Sequence, residues 1–548
     1  MAPQLKTTLC LMLAGLSAAT VQAQTSDNRS NFQRTLPRAP TPERQRVQPL
    51  QQQPVRDLTE LENTRVRPTA FKIAGARAVP FGEVAALFNP LLNTDTTVGQ
   101  LLAAARQATA LYNARGYALS YAYIPLQDFA GGVVQVVVVE GYVGSLSLQN
   151  APPHYAARIR ALAAPVLAER PLRRATFERA VTLISRLPGI GVDANVPVPE
   201  NTQGASELQL GIRYKKFATS AAFDFNHPGV QGILGASVNG MTALADQLTV
   251  SAMAPRGKFD KRYYALDYAL PVGDRGWTAR LNAYRYDGKD SAFPFNGAVL
   301  SKMYGDNRVG LSASYPVIAS ASTLVVAELG AYGGASGESY RAPNEPSRLD
   351  LRTKTRVLQG GVSGSKQGET NAMEAGVQLA KGVKGAGAGQ LEDLADLGFH
   401  KVRVNARRND QWAGGSWKTS VSGVAQHTRS RLPSSEKIVF GGAYFGAAYP
   451  ASDISGDRGW AVAAEVAKPL AGATAMQVEP FAGVDAMRVR STVFEVQRGM
   501  LGSAIVGVRL ARADKFSVSL AVAKPVGARP LGESGRPWRW SVQSAASF

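Results

Sequence analysis

WTARLNAYRY, residues Trp277 to Tyr286, decides how the C-terminal half of the chain is read. Trp277, Ala279, Leu281 and Ala283 fall on one face of an extended segment and Arg280 and Asn282 on the other, while Arg285 breaks the alternation at the end. Successive side chains of a strand point to opposite faces, so this segment is apolar toward one medium and polar toward another over about ten residues. About sixteen such stretches occupy 216–548, beginning near Lys216, Gln231, Asp246, Arg262, Trp277, Arg308, Ser322, Arg356, Asn371, His400, Ser416, Gly459, Met476, Ser503, Lys515 and Trp538. Turn residues separate them. The pattern predicts a transmembrane antiparallel β-barrel of about 16 strands. A large soluble sandwich would share the short alternating runs, and the last stretch argues against it. Trp538, Trp540, Val542, Ala546 and the terminal Phe548 share one parity, with Ser544 the exception, and the two tryptophans suit an interfacial aromatic belt.

Upstream of the barrel the pattern changes to mixed α and β. Phe71 to Ile73 reads as a strand, Phe81 to Leu92 and Thr97 to Arg115 as helices, and Leu119 to Pro125 and Gly132 to Glu140 as strands. In the second helix Val98, Leu101, Leu102, Ala105, Ala108 and Tyr112 recur at helical spacing, and Gly116 supplies the stop. The order β-α-α-β-β then repeats: strand Tyr142 to Leu148, helices Tyr155 to Leu167 and Thr176 to Arg186, strands Val192 to Val198 and Glu207 to Arg213. These two units, 67–141 and 142–215, follow a Gln/Pro/Arg-rich linker, 24–66, with no hydrophobic period; Arg56 to Thr64 is its one candidate for a helix. Residues 1–23 have a basic start, an apolar run and the small-x-small ending Val21-Gln22-Ala23, as in an export signal cleaved after Ala23. The only cysteine, Cys10, lies in that segment, so the mature chain would contain no disulfide and no thiolate metal site.

Within the barrel half one stretch differs: FGGAYFGAAYPASDISGDRGW, Phe440 to Trp460. Gly441, Gly442 and Gly446 permit backbone angles denied to other residues, and Pro450 fixes one, so the stretch reads as a loop that doubles back while Tyr444, Phe445 and Tyr449 pack. By the strand tally it lies between the eleventh and twelfth strands. It resembles the motif of the two-partner secretion outer-membrane transporters, the hemolysin/adhesin secretion-activation proteins of the Omp85 superfamily, which runs F-G-G…F-G-R-G-Y-x-P…G-D-x-G. Phe440, Gly441, Gly442, Phe445, Gly446, Tyr449, Gly456, Asp457 and Gly459 match. Ala447 stands where the arginine is expected, Ala448 replaces the second glycine, and Pro450 comes one position early.

The resemblance implies that the loop, 429–458, folds into the barrel and that its arginine meets an acidic residue on the inner wall. That residue is Asp485 in PFAGVDAMRV, where Met487 occupies a position usually held by glycine. Without the arginine, Asp485 is expected to stay solvated or to find Arg458, Arg488 or another arginine. YNARGY (Tyr112 to Tyr117) and GGVVQVVVVEG (Gly131 to Gly141) resemble the first POTRA domain of the same family, and the second unit resembles its second. The implied client-binding positions are Tyr112, Gly116, Tyr117, Pro125, Gln127, Gly132, Glu140 and Gly141. The terminal Phe548 resembles the signal read by the barrel assembly machinery.

The implied function is transport of a large unfolded exoprotein, caught by its N-terminal secretion domain, from periplasm to cell surface. The protein would be a monomer among outer-membrane lipids and use no cofactor. The formal charge of +20 is spread along the chain and not interleaved with stacking aromatics, so it fits a basic lumen or an acidic client better than nucleic acid. Beyond the signal no run of about 18 apolar residues exists, which excludes a helical membrane span. His154, His227, His400 and His427 are far apart in the sequence, and no catalytic or phosphate-binding motif is present, so no enzyme site is visible. The glycine-rich runs Gly382 to Gly389 and Gly330 to Gly337 read as loops. The rival readings are a factor that inserts other barrels and, less favoured, a passive porin.

Overall fold

The structure, a computed structural model, describes residues 62–548 apart from 200–202, 226–229, 257–259, 296–297, 343–347, 391–394, 443, 451–453, 471–475, 492–498, 513–514, 531–533 and 548. The signal segment with Ala23, nearly all of the linker helix candidate and Phe548 lie outside the described residues.

The first α/β unit runs β1 (Ala70–Ala74), α1 (Phe81–Ala86), α2 (Val98–Ala114), β2 (Tyr121–Tyr123) and β3 (Val133–Val139). β3 is central, parallel to β1 and antiparallel to β2. α2 starts at a capping box in which the Thr97 hydroxyl accepts from Gln100 N and the Gln100 side chain accepts from Thr97 N. Val98, Leu101, Ala105, Ala108 and Tyr112 are buried, as their spacing predicts, and Leu102 is half-buried. The helix expected over Phe81 to Leu92 ends at Ala86 and resumes as a short 3-10 turn, Asn89–Leu91. Pro90 is the reason, because it has no N–H to donate to the carbonyl of Ala86, four residues back, and its ring crowds that carbonyl. The second unit repeats the order with β4 (Tyr142–Gln149), α3 (Pro153–Ala168), α4 (Arg174–Ser185), β5 (Ile190–Asn195) and β6 (Ala205–Tyr214), β6 being central.

Sixteen antiparallel strands then close a barrel. They are β7 (Phe217–Asp224), β8 (Gln231–Asn239), β9 (Gln247–Arg256), β10 (Arg262–Val272), β11 (Trp277–Phe295), β12 (Ala298–Ala319), β13 (Thr323–Arg341), β14 (Arg348–Gln367), β15 (Asn371–Gly382), β16 (His400–Trp412), β17 (Trp417–Thr428), β18 (Arg458–Ala467), β19 (Gln477–Arg490), β20 (Leu501–Arg512), β21 (Phe516–Pro525) and β22 (Arg539–Ser547). β22 pairs with β7 and completes the ring. The expected starts of β12 and β14, near Arg308 and Arg356, are ten and eight residues late against the observed Ala298 and Arg348. In β14 the added residues put Arg348, Asp350 and Arg352 on the outward face and Leu349 and Leu351 on the inward one, the reverse of the alternation in its membrane-spanning part. Gly330 to Gly337, expected as a loop, lies inside β13, where glycines alternate with side chains on both faces.

Register sorts the two faces of the barrel. Lys401, Arg403, Asn405 and Arg407 pair with Thr428, Gln426, Val424 and Ser422 and face the lumen, while Val402, Val404 and Val421 are exposed on the outside. Leu311, Leu329, Leu358, Val484 and Val506 are likewise exposed outward. An apolar outside and a polar inside are what a strand wall between lipid and water requires. α4 packs beneath the turn between β12 and β13: Arg179 donates to Pro316 O at 3.2 Å and to the Tyr315 hydroxyl at 3.0 Å, Thr182 Oγ1 donates to Ser320 O at 3.3 Å, and Glu178 accepts from Ala321 N at 3.1 Å. The second unit is thus bonded to one rim of the barrel, and that rim is the end where β7 enters.

Candidate functional site

Residues 429–457 join β17 to β18, the eleventh and twelfth strands, at the rim opposite the α/β units, and turn back into the lumen. Ile438–Phe440 pairs with Ile454–Gly456 as a short antiparallel ribbon. Between its arms the chain folds on itself: Gly441 N donates to Phe445 O, Gly442 N to Gly446 O and Tyr449 N to Gly446 O. Gly441, Gly442 and Gly446 all have φ near +90°, in the region where glycine is at least cost. Phe440 and Phe445 meet edge to face at 6.1 Å, and Tyr449 is 2% exposed. Tyr444, expected to pack, stays exposed.

The loop tip is bonded to the wall made by β19 and β20. Asp485 Oδ2 accepts from Gly446 N at 2.9 Å and from Ala447 N at 3.2 Å. Ser503, its cross-strand neighbour, accepts from Ala448 N at 3.1 Å, and the Tyr449 hydroxyl donates to Ala528 O at 2.8 Å. Asp485 is 5% exposed, so the expectation of a solvated carboxylate or an arginine partner is corrected. Backbone N–H groups of the doubled-back loop take the place of a guanidinium. Charge-assisted hydrogen bonds of this kind contribute about 1.5–3 kcal/mol each. Met487 fills the adjoining space: it is fully buried, and a Cβ on Gly446 would lie 2.9 Å from its Cε. The two departures from the transporter motif are therefore complementary, a bulky wall residue beside a loop that lost its long side chain.

The root of the same loop is held on the opposite wall by a residue that sequence reasoning missed. Glu436, in the 3-10 turn Ser434–Glu436, is 1% exposed. Its carboxylate accepts from Arg308 Nη2 of β12 at 2.9 Å, Lys401 Nζ of β16 at 2.6 Å and the Tyr332 hydroxyl of β13 at 2.8 Å. The Arg308 guanidinium also lies 4.1 Å from the centre of the Tyr332 ring. Burial alone would push the Glu436 carboxyl up, but Lys401 and Arg308 outweigh it and hold it at about 2. Here the loop carries the acid and the wall carries the cations. Beside the cluster, Gln426 Nε2 donates to Glu436 O and to Asp457 O, and Asp457 Oδ1 accepts from Leu432 N. Gly456, Asp457 and Gly459 thus sit where the loop returns to the wall, and the loop is fastened at both sides of the lumen.

A family model, haemolysin secretion/activation protein ShlB/FhaC/HecB, matches residues 226–510, more than half of the chain. The chain belongs to this family. It is an outer-membrane translocator of two-partner secretion with its N-terminal units in the periplasm. A second model, POTRA domain, ShlB-type, matches residues 66–141, the first α/β unit. Among solved structures the chain is similar to CdiB from Escherichia coli (19% identity, TM-score 0.69, covering 92% of this chain and 94% of that one). It is also similar to CdiB from Acinetobacter baumannii (15%, 0.61, 94% and 95%) and to BamA from Haemophilus ducreyi lacking POTRA domains 1–3 (14%, 0.53, 88% and 100%). These likenesses show the fold. No curated protein sequence matches the chain.

In this translocator the POTRA positions singled out from sequence divide into two groups. Tyr112 is fully buried, and its hydroxyl donates to Glu140 Oε1 at 2.9 Å; burial, with Glu140 beside it, raises its pKa. Glu140 Oε1 also accepts from Arg77 N and Ala78 N. Gly116 has positive φ at the end of α2, Gly132 accepts from Thr69 N ahead of β3, and Gly141 is buried against Leu119. Those residues hold the domain together and offer a client no side chain. Pro125, Gln127 and Tyr117 are half-buried at its surface. Gln127 exchanges two hydrogen bonds with the backbone of Gln135 in β3, at 2.7 and 3.0 Å. β2 pairs only with Val137 to Val139, so Gln127 covers the part of the β3 edge that β2 leaves open.

Proposed function

We propose that the lumen loop is the gate of this translocator and that its attachments to both walls are what an incoming client must undo. The cargo is a large exoprotein whose N-terminal secretion domain is caught in the periplasm by two POTRA domains, 67–141 and 142–215. The supporting observation is the double attachment itself: Asp485 and Ser503 on one wall and Arg308, Tyr332 and Lys401 on the other bind a single loop across the channel. An extended client adds itself as a strand to a POTRA edge, receiving backbone hydrogen bonds with little demand on its sequence. The protein works as a monomer, performs no catalytic step, and the folding of the client outside the cell supplies the drive.

Cysteines introduced at Ala448 and Ser503, joined now by a hydrogen bond from Ala448 N, would tie the gate to the wall, and the mature chain would bring no competing thiol. The client assayed is an N-terminal fragment of the large exported protein expected to be encoded beside this one. Secretion should stop under oxidising conditions and return on reduction. Equal secretion in both states, with the disulfide verified, would show that the client passes without moving the loop.

A further inference from the structure

The outer wall changes character along β11 to β14. Gly276, just before β11, lies against Leu183 of α4, so Trp277 marks the periplasmic edge and the far ends of these strands lie at the outer leaflet. Leu281, Leu311 and Leu358 face outward in one cross-strand row. Four residues further out the row reads Arg285, Asn307, Ala335 and Lys354. Arg356 stands one step below Lys354 on the same face, opposite Gly333; a Cβ there would lie 3.2 Å from its Nη1, so the guanidinium covers the glycine. The flanking strands thus supply cations and the two middle strands supply little bulk. These strands form one side of a hollow of about 1490 Å³ that extends over β8 to β10, where Leu234, Val250 and Leu266 line it, and that has Leu281, Leu311 and Leu358 along its inner part and Arg285, Lys354 and Arg356 at its outer end.

Two stretches that read as loops in the sequence build this place. Gly333 and Ala335 of the run Gly330 to Gly337 form its floor. The run Gly382 to Gly389 folds alongside β14: Val383 N donates to Arg356 O at 2.8 Å, Gly389–Gln390 pairs with Thr353 and Lys354, and Val383 and Ala386 line the hollow. The carboxylates on the same face are each paired with a nearby arginine, one of them with Arg285 of the hollow itself. Asp287 pairs with Arg285 at 3.2 Å and Asp350 with Arg348 at 2.8 Å, while neither Lys354 nor Arg356 has an ion-pair partner among the described residues.

We propose that this hollow binds a phosphorylated, multiply acylated lipid of the outer leaflet. The phosphate lies between Arg285, Lys354 and Arg356, and the acyl chains run down over Leu281, Leu311 and Leu358. Charge selects the headgroup, since cations at the edge of a hydrocarbon belt attract anionic lipid and hydrogen-bond phosphate oxygens. Width selects the class: Arg285 and Lys354 are three strand spacings apart, about 14 Å, which fits a broad headgroup with several chains.

The test uses the purified, delipidated full chain in detergent and counts bound lipid by native mass spectrometry. The probes are lipid A, a diphosphorylated and multiply acylated glucosamine disaccharide, its dephosphorylated form, phosphatidylglycerol and inorganic phosphate. Lipid A should be retained as a discrete adduct, the dephosphorylated form should be lost, and the double variant K354A/R356A should weaken retention at least tenfold. R408A, which removes an outward cation near the periplasmic edge, should not. A heat-modifiable gel shift verifies that each variant is folded. Equal retention of phosphatidylglycerol would reduce the site to generic attraction, displacement of lipid A by millimolar phosphate would make it a free-anion site, and an unchanged double variant would remove it altogether.

Discussion

Glu436 is the residue on which the loop's position most depends. Replacing it by Gln removes a buried charge that Arg308 and Lys401 both face, and breaking such a pair from one side costs about 3–5 kcal/mol. E436Q should raise single-channel conductance and lower the temperature of the heat-modifiable transition; a variant with native conductance and transition would show that the cluster does not hold the loop. The same group sets a pH window. Its folded pKa, about 2, is below the ordinary 4.5, so its contribution is fully present above about 4.5 and is lost as the pH falls toward 2. Conductance should accordingly stay flat from neutral pH to about 4.5 and increase only below it, and the E436Q channel should lack that rise. A second residue-scale prediction concerns the complementary departures at Ala447 and Met487. A447R alone has to place a long cation beside a filled site and should lower heat stability and secretion, whereas A447R/M487G should recover both. A neutral A447R would mean that space for the arginine already exists.

At the scale of elements, the first POTRA sheet has an edge that its own side chain covers. Gln127 occupies the hydrogen-bonding positions of Gln135 that a client strand would need. Q127A uncovers them at small cost to the fold, because Gln127 is a half-buried surface residue. If clients add at this edge, a client fragment should bind the variant more tightly, by several-fold in a surface-immobilised assay. Unchanged or weaker binding would direct attention to the outer edge of β1 or to the second unit. Helix α2 and strand β3 were legible in the sequence, since helical spacing, a glycine stop and a run of valines are local signals. The break in the helix beginning at Phe81 was legible too, in Pro90, but only if the lost donor and the clash with the carbonyl four residues back are weighed above apolar spacing.

At the scale of the whole molecule, α4 bonds the periplasmic half to the turn between β12 and β13, and β12 carries Arg308, which holds the loop. The periplasmic half and the lumen loop thus share one strand. E178A/R179A removes bonds that lie outside the barrel ring, so the barrel's heat transition should stay as it is while secretion falls. Full secretion by the double variant would show that the attachment has no part in transport.

Period-two alternation determined the barrel and its strand number from sequence alone, and helical spacing with valine-rich runs determined the two α/β units, because both depend on residues a few positions apart. Clustered glycines likewise marked the doubled-back loop. The limits of β12 and β14 were not legible, since strand that projects past the hydrocarbon belt need not keep its apolar residues on the outward face. Nor were the partners of Glu436 and Asp485. Glu436 meets Arg308 and Tyr332 across 128 and 104 residues of chain, and Asp485 is bonded through Oδ2 to backbone N–H groups, which every residue but proline possesses and which no motif can single out. Closing the barrel brought those groups within reach, and so the tertiary structure alone decided how the lumen loop is held.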